Sequence, residues 1–328
     1  MVKKESELSF KVKKTTELSV QEVEQLVALI YSTMNVTKTT TSYKDKYIHN
    51  FLGFSFHALM FEKNKIVGCN TVIPQEFNYF GKKYLFGQWC ETLIDKNYRG
   101  AIFNFKRLGN ILNDVLLKNE ICFIYGLPNK ALYIVSKRLL GMRDIGKLNY
   151  YTYPVSLKRF LIKYYPLNII FNFFIKIYLK IKINFIDQNN FPISKINNDN
   201  FKNGRYFKSN KYKFLKKENY EAIYFFDVSK KHNSAKIIWV LDVHPLSKSN
   251  LEKTINELKK TQSDSDDLDM IIYIGCLKTV PYNMLKIPSK FVEENNIFSG
   301  KILDYKKIDE KIFNHNLWNV NSSNFDYR

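Results

Sequence analysis

The sequence predicts a mixed α/β protein: a largely antiparallel first sheet flanked by helices, followed by a second α/β domain. Three observations predict it. In the first half, strand-like runs surround stretches whose apolar residues recur at helical spacing. A polar, Asn-rich segment from Asp187 to Asn203 then interrupts the chain, and a second strand–helix–strand series follows it. The 328 residues are also more than one ordinary domain needs.

The elements follow in order. Residues Leu8 to Val12 read as a short strand. Ser19 is a good helix N-cap, and Glu22 three residues later completes a capping box. Val23, Leu26, Val27 and Ile30 then form one apolar face. The polar stretch from Thr37 to Asp45 reads as a loop. From Phe54 the pattern is strand-like: SFHALMFE and KIVGCNTVIP are joined by a turn at Lys63-Asn64-Lys65, and EFNYFG and KKYLFGQWCETLID continue it, with Gly81 near a turn. Ala101 to Lys118 reads as a helix with Phe105, Leu108, Ile111, Leu112 and Val115 on one stripe. ICFIYGL is a short apolar strand suited to the middle of a sheet. Asn129 to Leu140 is a further helix closed by Gly141, and Lys147 to Pro154 one more strand.

In the second block, YEAIYFFDV and KIIWVLDVHP read as paired strands, Ser249 starts a helix running to about Lys260, and MIIYIGCL is a buried strand. The order loosely repeats that of the first half, with no residue-level repeat. Between the blocks, Ser156 to Phe185 mixes aromatic and aliphatic residues with Lys and Arg and carries no acid. It is too short in its apolar runs to span a bilayer; it reads either as a membrane-surface contact or as inter-domain packing. The division is therefore 1–155, a basic-aromatic linker 156–198, and 199–328.

The most informative stretch is Leu93-Ile94-Asp95-Lys96-Asn97-Tyr98-Arg99-Gly100-Ala101-Ile102-Phe103. A strand runs into a Gly-containing turn that opens directly into a helix. The first helical N–H groups have no intrahelical partner and carry the positive end of the helix dipole, so such a turn suits a pyrophosphate. Gly100 allows close approach, and Arg99 adds charge. Further on, Tyr125-Gly126-Leu127-Pro128-Asn129 repeats the strand-to-helix turn and leads to Leu140-Gly141-Met142.

These two blocks resemble the GNAT superfamily of N-acyltransferases. The first is similar to its acyl-CoA loop, Q/R-x-x-G-x-G/A, with Asn97 in the first position and Ile102 in the last. The second is similar to the GFPN turn and "lGF" helix ending of a subgroup associated with bacterial surface-polysaccharide loci. The stretch from Gly53 to Pro74 and the segment from Trp318 to Tyr327 also fit. The resemblance covers about residues 7 to 155 well and 199 to 328 loosely, implying a GNAT sheet followed by a second GNAT-like domain. It implies acetyl-CoA, or another acyl-CoA, held by Leu93, Ile94, Arg99, Gly100, Ala101, Ile102, Phe103 and Asn129, with the pantetheine arm between the strands ending at Ile94 and Tyr125. It also implies direct attack of an amine on the thioester, aided by a base and an acid. Glu91 is the base by position, with a plain surface carboxylate as its other reading, and His57 is a further candidate. The usual acid position holds Lys137, so Tyr133, one turn earlier, is the substitute.

The implied reaction is N-acylation of a small-molecule amine, an amino sugar for surface glycan synthesis being the first choice. A tandem aminoacyl or peptidyl transferase and a non-catalytic binding protein on the same scaffold are the alternatives. The net charge of +20 invites a nucleic-acid reading, but the basic residues are mostly Lys spread along the whole length, so no specific nucleic acid is expected. The field favours anionic ligands. None of the four cysteines forms a CxxC pair, the five histidines show no metal-ligand spacing, and the N-terminus has no apolar signal region. A cytoplasmic protein, or one at a membrane surface, with reduced thiols is the expectation.

Overall fold

The computed structural model describes residues 8–99, 102–156, 159–160, 177, 191–197, 199–202, 205–206, 211–230, 233–261, 268–292 and 296–325. The chain divides into two compact units whose segments interleave. The first takes residues 1–146, 193–208 and 297–314; the second takes 147–192, 209–296 and 315–328.

The first unit begins with β1 (Leu8–Lys14) and α1 (Val20–Met34). The capping box forms as its residues dictate: the Glu22 amide donates to Ser19 Oγ (3.1 Å), and the Ser19 amide donates to the Glu22 carboxylate (2.9 Å). Residues 40–48, inside and beyond the expected loop, instead form α2 (Thr40–Ile48), capped by Thr39. The segment is polar, but Tyr43 and Tyr47 lie one helical turn apart and are both buried, which is enough to hold a helix on the sheet.

β2 (Phe56–Glu62), β3 (Lys65–Tyr79) and β4 (Lys82–Ile94) form an antiparallel meander. The stretches KIVGCNTVIP and EFNYFG are one strand, running straight through Pro74. This works because β2 pairs with β3 only as far as Phe56↔Val72, so the missing proline N–H falls beyond that ladder. Phe80 and Gly81, both at positive φ, make the turn into β4. α3 (Ile102–Lys118) then crosses over to β5 (Ile121–Gly126), which pairs parallel to β4. α4 (Lys130–Val135) continues into one π turn, Ser136–Leu140, closed by Gly141 in the left-handed region. β6 (Arg143–Lys147) follows.

The sheet order is β1-β2-β3-β4-β5-β14-β6, where β14 is Ile297–Ile302, with β8 (Ile193–Lys195) pairing the end of β3. Both faces are packed. Ala58, Met60, Val67, Val72 and Trp89 meet Phe105, Leu108, Leu112 and Leu116 of α3. Leu59, Phe61, Ile66, Cys69 and Leu93 meet Val23, Leu26 and Ile30 of α1 and the α2 tyrosines. β14 (Ile297–Ile302) comes from far along the chain and pairs with β5 between Ser299↔Gly126 and Ile302↔Phe123. A Cβ at Gly300 would meet the Phe123 ring and lie 2.8 Å from the Ile124 carbonyl oxygen. Gly300→Val is therefore expected to destabilise the protein by about 1–3 kcal/mol in a urea melt, whereas an exposed control such as Lys306→Ala should change little.

The second unit repeats this plan. β9 (Tyr212–Lys217), β10 (Tyr220–Ser229) and β11 (Ala235–His244) form a meander, and α5 (Lys248–Lys260) crosses over to β12 (Met270–Gly275), parallel to β11. The α5 cap is Ser247 rather than Ser249, its hydroxyl accepting from the Asn250 amide at 3.0 Å. β7 (Asn149–Pro154) forms where the sequence predicts a strand, but it pairs with β12 in this sheet; β13 (Leu285–Lys286) lies on its other side. Ala222, Ile238, Val240, Ile271 and Tyr273 pack with Leu251, Ile255 and Leu258 of α5. Most of the basic-aromatic stretch from Ser156 to Phe185 lies outside the described residues. Arg159 is described, and its guanidinium pairs with the buried Asp269 at 2.6 Å. Among the described residues, no helix is long and apolar enough to cross a membrane.

Candidate functional site

In the first unit, β4 and β5 pair from Leu85↔Ile121 to Gln88↔Tyr125, and the ladder then ends. β4 runs on for six residues to Ile94, while β5 stops at Gly126. The two parallel strands thus form a fork. Its apex is tight: a Cβ on Gly126 would lie 3.1 Å from the Trp89 carbonyl oxygen. Behind the apex, the Tyr125 hydroxyl donates to Gln75 Oε1 (2.5 Å) and Gln75 Nε2 donates to Gln88 Oε1 (2.7 Å). Arg205 Nη1 donates to the same Gln88 oxygen at 3.2 Å.

Beyond the fork, the register of β4 against β3 shifts. Asn70 opposes Thr92 and Val72 opposes Trp89, so β4 holds one residue more than β3 over this step. The bulge falls at Cys90 and Glu91, and bulges re-aim side chains next to functional sites. Asn70 braces it, its side-chain Oδ1 accepting from both the Trp89 indole and the Thr92 hydroxyl.

Glu91 is only 9% exposed. Its carboxylate accepts from Lys46 Nζ (2.6 Å), from Lys38 Nζ (3.2 Å) and from the Tyr47 hydroxyl. It is thus a charge-compensated carboxylate facing α2 and not a solvated surface group. Desolvation, and then the neighbouring Glu91, push the Tyr47 phenol well above its ordinary range. His57 is fully buried, with Thr15 Oγ1 at 2.9 Å from Nε2 and Tyr43 OH at 3.2 Å from Nδ1. Burial pushes its pKa down to about 3, so both ring nitrogens serve a neutral internal network.

The turn after β4 is built by Asp95. Its carboxylate accepts from the Asn97 amide (2.9 Å), and its carbonyl accepts from the Tyr98 amide (2.9 Å). Arg99 Nε donates to the Ile94 carbonyl at 2.8 Å, which holds the exposed side chain at the mouth of the turn. Gly100 and Ala101 lie outside the described residues. Ile102 is the first residue of α3, and Phe103 is 74% exposed. The side chains of Leu93 and Ile94 pack into the two core layers, so a ligand in the fork would meet only their backbone. Asn129 caps α4, its side-chain Oδ1 accepting from the Leu132 amide at 2.9 Å. The Tyr133 hydroxyl donates to Asp144 Oδ2 (2.8 Å) and accepts from Lys137 Nζ (3.1 Å), and Lys137 pairs with Asp144 at 2.8 Å. Glu91 and Tyr133 therefore belong to different clusters, one beside α2 and one on α4.

Lys38, Lys46, Tyr47 and Asn70 went unseen in the sequence. The spacing of Tyr43 and Tyr47 was the available signal for the first three; nothing marked Asn70, whose role depends on a register shift. Among the described residues, no group of three or more His, Cys, Asp or Glu side chains is placed to hold a metal ion. The four cysteines are free thiols.

No protein-family model and no curated protein sequence matches the chain. Solved structures do. The chain is similar to a conserved Enterococcus faecalis protein described as a probable N-acyltransferase, at 11% identity and TM-score 0.57, over 90% of this chain and 73% of that one. It is similar to a GCN5-related N-acetyltransferase from Anabaena variabilis at 13% identity and TM-score 0.57, with the same coverage. It is similar to another from Kribbella flavida at 9% identity and TM-score 0.59, over 91% and 72%. The chain has the fold of the GCN5-related N-acetyltransferases, with open mixed sheets flanked by helices.

Proposed function

We propose that the protein is an acyl-CoA-dependent N-acyltransferase acting on the amino group of a small molecule. The observation that carries this is the β4–β5 fork, whose longer arm leads through the Asp95 turn and Arg99 to the N-terminus of a 17-residue helix. The residues fit such a donor: Arg99 and the unpaired amides of α3 suit phosphate, and the bare backbone at Gly126 leaves the fork narrow enough for an extended arm. When bound, acyl-CoA supplies an activated acyl group as a thioester.

The chain's own groups then have defined tasks. The two strands hold the donor so that an amine can approach along β4. Glu91 at the bulge takes the proton the amine loses on attack, directly or through one water. Lys38 and Lys46 hold that carboxylate in place. Tyr133 gives a proton to the departing sulfur and is recharged through Lys137 and Asp144. Acetyl as the acyl group and an amino sugar of surface glycans as the acceptor rest on the sequence resemblance; a cytoplasmic location rests on four cysteines without a CxxC pair. The repeated architecture of the second unit favours a second reading, a tandem aminoacyl or peptidyl transferase, with the first unit still holding the donor.

Calorimetric titration with acetyl-CoA tests the site. Arg99→Glu is expected to weaken binding roughly 10–100-fold, the worth of a charge-assisted phosphate contact. Release of free CoA on adding amino sugars then tests turnover. A wild-type chain that binds no acyl-CoA would leave only a binding protein on this scaffold.

A further inference from the structure

The second unit has its own fork. β11 and β12 pair in parallel from Ile237↔Met270 to Val240↔Tyr273, and the ladder ends there; β11 continues to His244 and β12 to Gly275. The position matches that of the fork in the first unit, after the same hairpin and crossover helix and with a six-residue strand that also ends in glycine.

This fork is filled by the chain itself. Val320 and Asn321 lie against the end of β12: the Cys276 amide donates to the Val320 carbonyl (2.9 Å), and Asn321 bridges to Gly275. The same segment reaches β11, where Asn321 Nδ2 donates to Asp242 Oδ1 (2.8 Å) and Ser322 Oγ donates to the Leu241 carbonyl (3.2 Å). Both arms are thus bridged just past the ladder's end. A Cβ on Gly275 would lie 2.8 Å from the Val320 carbonyl oxygen, so only glycine permits the approach. The segment is internally braced: the Ser323 amide and hydroxyl donate to Asn321 Oδ1, and the Asn321 amide donates to Asn324 Oδ1. Val320 to Asn324 are all buried.

We propose that residues 320–324 permanently occupy the second fork, so that this unit takes no acyl-CoA and the chain binds one cofactor. The comparison of the two forks rests on the acyl-CoA reading of the first. A braced, buried segment that takes the Leu241 carbonyl and the Cys276 amide stands where a ligand arm would lie between the strands. Residues 320–324, within the segment that also fits the resemblance, supply this closure.

Hydrogen exchange on the full chain, with and without saturating acetyl-CoA, reads the fork directly. The amides of Cys276, Asn321, Ser323 and Asn324 are expected to exchange as slowly as those of the β11–β12 ladder, and acetyl-CoA should leave them unchanged. Asn321→Ala should speed their exchange at least roughly tenfold, and the milder Ser322→Ala by less, while the β9–β10 amides stay protected. Calorimetry should give one acetyl-CoA per chain, and Arg99→Glu should leave no second, tighter site. Deprotection of these amides by acetyl-CoA, fast exchange in the free protein, or two cofactors per chain would each overturn the proposal. If the free chain binds no acetyl-CoA while the amides stay protected, the filled fork stands and the enzymatic reading of the first unit falls.

Discussion

Replacing Glu91 by glutamine is expected to lower stability by about 3–5 kcal/mol, the cost of removing one partner from a buried ion pair. Glutamine keeps the shape and can still accept from Tyr47, so the loss is chiefly one of charge. It leaves Lys46 and Lys38, whose side chains are each 15% exposed, facing a neutral amide at the distances now spanned by 2.6 and 3.2 Å contacts. Urea denaturation of the variant measures this. The companion change Lys46→Met should be costly alone and less costly in the Glu91→Gln background, because the ammonium it removes has there already lost the Glu91 carboxylate. Activity separates the two roles of Glu91. As the base, its loss should reduce kcat by roughly 10²–10⁴ while acetyl-CoA affinity holds. If the folded variant kept its kcat, the carboxylate would be an anchor for α2 and the base would have to be sought elsewhere.

The second large effect concerns acid. His57 has a pKa near 3 in the folded protein against an ordinary 6.5, because burial disfavours its cation. Between those two values the unfolded chain binds a proton that the folded chain refuses. Stability therefore falls as pH drops through 6.5 and keeps falling toward 3, by up to about 1.4 kcal/mol per pH unit from this one group. Glu22 and Asp309, whose carboxyls are held below their ordinary values by Lys13 and Tyr79, add losses of the same sign at lower pH. A His57→Gln variant retains those contributions and loses only the histidine's. Its stability curve between pH 4 and 6 should be flatter than that of the wild type by nearly the full slope. Parallel curves would mean that the imidazole can be protonated in place and that its network with Thr15 and Tyr43 is not the dry one described.

What the sequence made legible was local. The cap at Ser19, the helix that follows Asn129, the C-terminal Gly141 and the strand-like runs on both sides of the Lys63 and Gly81 turns all speak through neighbouring residues, and all appear where expected. The α2 helix escaped because its burial depends on only two tyrosines among polar neighbours. The membership of β7 and β14 escaped for another reason: a strand's period tells which residues alternate and nothing about which distant strand it joins. At the site, the turn around Arg99 was visible because Gly and charge sit together in sequence. The Glu91 cluster was not, because Lys38, Lys46 and Asn70 meet it only through helix packing and a bulge.

The placement of β14 has a consequence for how the protein must be made. β5 is wholly buried in the finished sheet, and one of its edges is paired by residues 299–302, with the Leu303 and Asp304 amides donating to the Cys122 carbonyl beside them. A ribosome delivers those residues roughly 170 positions later, about 10–30 s after β5 emerges. During that interval the nascent N-terminal half presents an apolar strand with unpaired amides, a surface that chaperones bind and that other nascent chains can pair with. Residues 1–155 alone therefore lack one strand of their own sheet. A fragment ending at residue 155 would carry that exposed edge indefinitely and accumulate as aggregate, and supplying residues 297–314 in trans would be the direct way to quench it.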